Sequence, residues 1–242
     1  VVSSNIPFGD MAVFDPVFSK TDEPARKVSR MSLHNYFFVK GVDMLREGGV
    51  LAFITSQGVM NAPTNESVRE WLMNHTRLVS AIRLPNNLFS ENAGTEVGSD
   101  LIVLQKNLSK KEMSQDERLM TVIQTDTKTD LTDNAYFIHH PERIVHTTAK
   151  LDTDPYGKPA MVYLHEGKTA GISGDLRRML DEDFHYRLAM RLYSGTIRQS
   201  GTEEKVTVQK EVERPAIKLE TVSSAQTVET PTEKPQPVEE KP

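Results

Sequence analysis

The chain has 242 residues, 37% of them hydrophobic and 26% charged, with a mean hydropathy of −0.46; this suffices for one or two domains and predicts that part of the chain lies outside any core. The absence of cysteine excludes disulfide frameworks, thiolate zinc sites and cysteine nucleophiles, and suits a reducing compartment. A net charge of −5 opposes bulk attraction to a polyanion, so contact with nucleic acid needs a local basic face; no apolar run approaches the roughly 20 residues of a membrane helix, and a soluble, cytoplasmic protein without membrane contact is expected.

In chain order, Val1-Val2-Ser3-Ser4 reads as the end of a buried strand. It breaks at Asn5-Ile6-Pro7-Phe8-Gly9-Asp10, where Pro7 removes a donor and Gly9 permits an unusual turn. A strand that starts at once at Val1 is read as a cut inside a larger open reading frame. Ser32 is the expected N-cap of a helix with Leu33, Phe37, Phe38, Val42, Met44 and Leu45 at helical spacing, stopped by Gly48-Gly49; Phe37 and Phe38 are assigned to the core. Val50–Ile54 is a continuous apolar strand of the kind covered on both faces. Asn65 is the expected cap of a second helix carrying Val68, Trp71 and Leu72, followed by strands at Leu78–Leu84 and Leu101–Leu104. This alternation predicts a layered α/β sheet over residues 1–106.

Residues 107–201 form a mixed extension, either a small accessory domain or an irregular appendage, with a helix-like stretch from Asp175 to Tyr193. From Thr202 to Pro242 there is neither an aromatic residue nor a glycine, and nine glutamates against six lysines and arginines put three of the five net negative charges there. Such a segment buries too little apolar area to offset backbone entropy and is expected to be a disordered tail.

The tetrapeptide Asn5-Ile6-Pro7-Phe8 falls where open α/β sheets collect reactive groups, at the carboxyl end of a strand. Here the sequence resembles the amino-directed DNA methyltransferases, in particular the adenine-N6 group with its Asn/Asp-Pro-Pro-Tyr/Phe signature. Leu45-Arg46-Glu47-Gly48-Gly49-Val50-Leu51-Ala52-Phe53-Ile54 is similar to the family's next helix-to-strand junction. Leu84-Pro85 with Phe89, Gly94-Thr95 and Asp100–Lys106 are similar to its last two strands. The methylase portion of large bacterial methylase-helicase proteins is the nearest likeness.

The resemblance implies the C-terminal part of a Rossmann-like methyltransferase sheet that methylates adenine N6 of DNA with S-adenosylmethionine. Adenine's exocyclic amine shares its lone pair with the ring, so acceptors at both amino hydrogens favour its localisation. By the resemblance these are the Asn5 side-chain oxygen and the Ile6 carbonyl, with Pro7 in the loop and Phe8 stacking on a base rotated out of the duplex. Ile6 stands where the family has its first proline and gives up that residue's stiffness. The chain contains no Gly-x-Gly, so the cofactor-binding half is expected upstream, in the same polypeptide, with a fused or associated helicase as a further partner. The chain alone is then expected to transfer little or no methyl. The alternatives are a non-catalytic DNA-binding or scaffold remnant, and methylation of another planar amide or amine such as a glutamine side chain.

Arg177, Arg178, Arg187, Arg191 and Arg198 are the candidate DNA-contacting group, set against a helix balanced by Asp181, Glu182 and Asp183. Asp10 and Asp15 are read as residues of a solvated turn. His139, His140 and His146 are assigned to surface or packing rather than to metal, since adjacent histidines point apart and no carboxylate spacing completes a site.

Overall fold

The computed structural model describes residues 1–9, 11–90, 94, 96–154 and 157–195. The chain divides into a unit of residues 1–199 and a second of residues 200–242. The expected tail, Arg198, Asp10 and Thr95 lie outside the described residues.

The first strand, β1 (Val2–Asn5), pairs in parallel with β2 (Val50–Ser56), and the connection passes through α1 (Pro16–Lys20), α2 (Pro24–Ser29) and α3 (Leu33–Met44). After α4 (Gly58–Asn61), a 3-10 turn (Pro63–Asn65) and α5 (Glu66–His75) come β3 (Thr76–Leu84), a 3-10 turn (Asn86–Phe89) and β4 (Ser99–Lys106). The sheet order is β1-β2-β4-β3, with β4 antiparallel to both neighbours. Thus β1, β2 and β3 run the same way and bring Asn5, Ser56 and Leu84 to one edge.

The alternation of side chains along each strand divides the core between two faces. On one face Leu51 and Phe53 pack with Phe38, Val39 and Val42 of α3 and with Val68 and Leu72 of α5. On the other, Ile82 and Leu84 meet Ile172, Leu176 and Met179, while Val50, Val79 and Val103 meet Leu180, Leu188 and Tyr193. The expected α/β layering is present, and Phe38 is fully buried with Phe37 packed beside it. Each fully buried Phe or Leu side chain contributes roughly 1.5–3 kcal/mol of transfer free energy.

The helix starts fall where the caps were expected, but the capping chemistry differs. Ser32 and Asn65 precede α3 and α5, yet neither side chain bonds the first turn. Asn65 instead donates to the Gly58 carbonyl (2.9 Å) and accepts from Asn35 (2.8 Å), so tertiary partners take the group that a local cap would use. Gly48, just beyond α3, has φ +73°, and a Cβ there would stand 2.0 Å from the Leu192 carbonyl oxygen; glycine is required on both counts.

Residues 107–195 lie within the first compact unit. Helix α6 (Gln115–Thr121) starts with a capping box between Ser114 and Glu117. The hairpin of β5 (Ile123–Thr125) and β6 (Thr132–Asn134), α7 (Ala135–His139), and the hairpin of β7 (Thr148–Thr153) and β8 (Pro159–Leu164) follow. The last helical region is longer and broken: α8 spans Lys168–Arg187 and α9 spans Met190–Tyr193. The break has a tertiary cause. The buried Gln105 side chain accepts from the Ala189 N–H (2.9 Å) and donates to the Ala189 and Gly48 carbonyls (3.1 and 3.2 Å), which draws that backbone out of the helical pattern.

Candidate active site

At the carboxyl edge of the sheet, the β1 tip is held by its backbone and by one apolar side chain. The Ile6 N–H donates to the Ile54 carbonyl (2.9 Å), extending the parallel ladder one residue past Asn5, and the Ile6 side chain is 0% exposed within the main core. A proline at this position has no N–H to give. The stiffness lost with the family's first proline is therefore replaced by a ladder bond and a buried anchor.

With Ile6 buried, the polar groups beside it face outward. Asn5, Pro7, Phe8 and Gly9 are exposed. Among the described residues no donor pairs with the Asn5 side chain or with the Ile6 carbonyl. Among the described residues the Asn5 side chain is thus exposed and unpaired at the strand end, whereas the Ile6 carbonyl is buried with its residue.

The Phe8 ring, 40% exposed, has its centroid 5.7 Å from that of Phe89 in an edge-to-face arrangement and 5.7 Å from that of His34, tilted by 49°. Three chain segments supply this aromatic group: the β1 loop, the first turn of α3 and the 3-10 turn after β3. His34 is buried, its Nδ1 is 2.8 Å from the Thr55 hydroxyl, and burial holds the imidazole below its ordinary pKa, so it is neutral at pH 7. A neutral ring keeps the floor of this group uncharged. His34 was missed in the sequence; the only signal was a polar residue beside the apolar stripe of the helix.

The loop after Phe8 is pinned by Asp15, and the expectation of a solvated turn is corrected here. Asp15 is 5% exposed and caps α1, accepting from the Val17 and Phe18 N–H groups (2.8 and 3.1 Å) with one oxygen, and from Tyr36 and Lys40 (2.9 and 3.0 Å) with the other. The Phe18 N–H, with Lys40 and Tyr36, holds this carboxyl well below the usual carboxylate range.

Next along the sheet edge is a buried ion cluster that the sequence did not reveal as a site. Arg83 reaches Asp100 (3.0 Å), Asn61 (3.1 Å) and Asp133, and its guanidinium lies 4.1 Å from the Phe137 ring centroid. Burial works against the guanidinium, but the two carboxylates outweigh it and keep Arg83 charged. The available signal was a charge inside each of two apolar strands, at Arg83 and Asp100. Through Asp133 this cluster ties the sheet to the β5–β6 hairpin.

The arginines of α8 and α9 do not share one face. Arg177 and Arg178 are exposed, with Arg178 bound to Asp175 (3.0 Å) and Arg177 near Asp181 (3.9 Å). Arg187 is half-buried between Asp116 (2.8 Å) and Asp183 (3.4 Å), and the exposed Arg191 belongs to the next helix. His140 lies between Asp116 (3.2 Å) and Glu142 (3.0 Å), while His139 reaches Gln124 and His146 the Ile144 carbonyl. Among the described residues no three histidines or carboxylates converge as metal ligands, and no helix is long and apolar enough to cross a membrane.

The family model described as N-6 DNA Methylase matches residues 1–162, and the chain belongs to that family. No curated protein matches it. Similar solved structures include one from Listeria monocytogenes described as a class I S-adenosylmethionine-dependent methyltransferase, with 20% identity, 47% of this chain and 33% of that chain covered, and a TM-score of 0.36. A Vibrio vulnificus structure described as a modification subunit of a type I restriction enzyme has 15% identity, coverage of 67% and 36%, and a TM-score of 0.34. The M protein of the type I restriction enzyme EcoKI has 14% identity, coverage of 76% and 48%, and a TM-score of 0.35. The chain thus spans between a third and a half of each of these structures.

Proposed function

We propose that the chain forms the base-binding part of an adenine-N6 DNA methyltransferase. The supporting observation is the exposed Asn5 side chain, without a donor among the described residues, beside the Phe8 ring at the carboxyl end of β1. An adenine laid against the exposed Phe8 ring gains stacking worth about 1–3 kcal/mol, and its amino group donates one hydrogen to Asn5 Oδ1, with the Ile6 carbonyl as the second acceptor once the loop moves to uncover it. Both bonds favour localisation of the N6 lone pair. Neutral His34 beside Phe8 adds no charge to oppose the positive charge that develops on N6 as the methyl arrives and before a proton leaves.

S-adenosylmethionine, when bound, supplies an electrophilic methyl. The chain contains no Gly-x-Gly, and we assign to this chain the receiving side of the transfer. Among the described residues β1 has a neighbour on one side only, and its open edge is where we place cofactor-binding strands from a longer polypeptide. Exposed Arg177 and Arg178 are the members of the arginine group that we assign to DNA phosphates; association with a helicase belongs to the same proposal.

The test is transfer of labelled methyl from S-adenosylmethionine to DNA by the longer protein and by its Asn5→Ala form. Loss of N6-methyladenine by about 100-fold or more with unchanged folding is expected; full retention overturns the assignment. The 242-residue chain alone is expected to give no measurable transfer.

A further inference from the structure

The 3-10 turn Asn86–Phe89 carries the Phe89 ring, and its own backbone does little to hold it: the Leu88 N–H reaches the Pro85 carbonyl (3.0 Å) and the Val97 N–H the Asn86 carbonyl (3.1 Å). Two asparagine side chains fasten it to β8 and the residue after it. Asn86 Oδ1 accepts from the Tyr163 N–H (3.0 Å). The Asn87 amide accepts from the His165 N–H and donates to the His165 carbonyl, each at 3.1 Å. It thereby imitates the hydrogen-bonded pair of an antiparallel ladder, in which two residues exchange both bonds. From this turn Leu88 packs against Ile82, Leu84, Val145 and Ile172, while Phe89 stands edge-on to Phe8.

The peptide that Asn87 grips is itself fixed. His165 is buried, and its Nδ1 is 3.1 Å from the Gly167 N–H. That N–H can only donate, so Nδ1 accepts and the ring proton sits on Nε2, which donates to Asp175 of α8 (3.2 Å). The ring lies so near Gly171 that a Cβ there would stand 2.5 Å from His165 Cε1. The other Asp175 oxygen accepts from Arg178 (3.0 Å). Through His165 the turn is thus tied to α8, whose Ile172 packs on the sheet beside Leu88.

We propose that Asn87 is a positioning residue for base binding: acting through the His165 peptide, it fixes the turn that sets Phe89 against Phe8, and so sets the face that Phe8 offers to a base. The proposal rests on the adenine-binding reading above and deepens it. Among the described residues Phe8 has two ring neighbours, His34 and Phe89. His34 is held by Thr55 within the first 106 residues, whereas Phe89 is aimed by residues 163–175. The extension is then part of the site. An edge-to-face ring pair contributes more than the area it buries, so its loss should reach the affinity for a base.

The test is NMR of the 242-residue chain and its Asn87→Ala and Asn87→Asp forms, first alone and then titrated with 9-methyladenine. Paired rings shift each other's signals, so the Phe8 and Phe89 resonances report their pairing without a ligand. Asn87→Ala is expected to move both toward unpaired values, to leave the Phe53 and Trp71 core signals in place, and to weaken 9-methyladenine by about fivefold. Asn87→Asp keeps the acceptor for the His165 N–H but turns a second oxygen to the His165 carbonyl. It should match Asn87→Ala at pH 7 and regain the wild-type ring signals of the same pH as the solution approaches about pH 4, where a protonated carboxyl donates. Unchanged ring signals in Asn87→Ala overturn the proposal, as does failure of Asn87→Asp to recover in acid. Loss of the core signals together with the ring signals assigns Asn87 to the framework and overturns it as well. The adenine-binding reading fails on a different result, the absence of 9-methyladenine shifts in the wild type, and the ligand-free ring signals still report on Asn87 in that case.

Discussion

Asn5 and Arg83 stand at the same edge of one sheet and use their polar groups in opposite ways. Arg83 is buried and engages Asp100, Asp133, Asn61 and the Phe137 ring; Asn5 is exposed with no partner among the described residues. The β3–β4 end is held by its side chains. The β1 end is held by the Ile6 backbone and core anchor, which leaves the exposed Asn5 side chain without a partner among the described residues. An edge assembled this way has a rigid side and a receptive side, and substitutions should separate the two.

The largest effect is expected on the rigid side. Asp100→Ala leaves the Arg83 guanidinium buried without its fully buried carboxylate partner, and should destabilise the chain by about 3–5 kcal/mol in urea unfolding. A loss below about 1 kcal/mol would mean that the cluster is not what secures this end. Next, Ile6→Ala removes a fully buried side chain and should cost about 2–5 kcal/mol. Ile6→Pro sharpens the comparison: it introduces the family's residue but deletes the bond to Ile54, and a net loss of about 1 kcal/mol is expected. A gain in stability would show that ring stiffness outweighs the ladder bond.

Acid unfolding probes the loop between the two sides. The folded Asp15 carboxyl titrates below the ordinary aspartate value of 3.8, so its stabilising contribution is complete above that value and is lost as pH falls toward the folded one. Asp15→Asn should therefore flatten the acid limb of the stability profile while the wild type keeps it. The smallest change is expected at the receptive side, where Asn5→Ala should alter stability by less than about 0.5 kcal/mol; a larger loss would place Asn5 in the structural framework.

Residues 1–106 were legible because their apolar runs are continuous and are punctuated by Pro7, Gly48-Gly49 and Pro85, so strand, helix and turn follow one another with local signals. The tip of β1 was legible for the same reason, and Phe89 for its place after Leu84-Pro85. What the sequence hid depends on partners distant along the chain. Asp15 looks like a turn residue until Tyr36 and Lys40 meet it. The α8–α9 break depends on Gln105, more than 80 residues earlier. The charges of Arg187 look available until Asp116 and Asp183 are brought against them. The same distance effect conceals the Asn35–Asn65–Gly58 relay, of which only Asn65 was assigned a role, as a cap.

The central claim is that the β1 tip receives an amino-bearing purine against the exposed Phe8 ring. It is tested most directly by titrating the chain with 9-methyladenine and following the Phe8, His34 and Phe89 ring signals together with the Asn5 side-chain amide. The account predicts saturable shifts of all four, weakened by about tenfold or more for N6,N6-dimethyl-9-methyladenine. Saturable binding that leaves these signals in place, or equal affinity for the two purines, would contradict it.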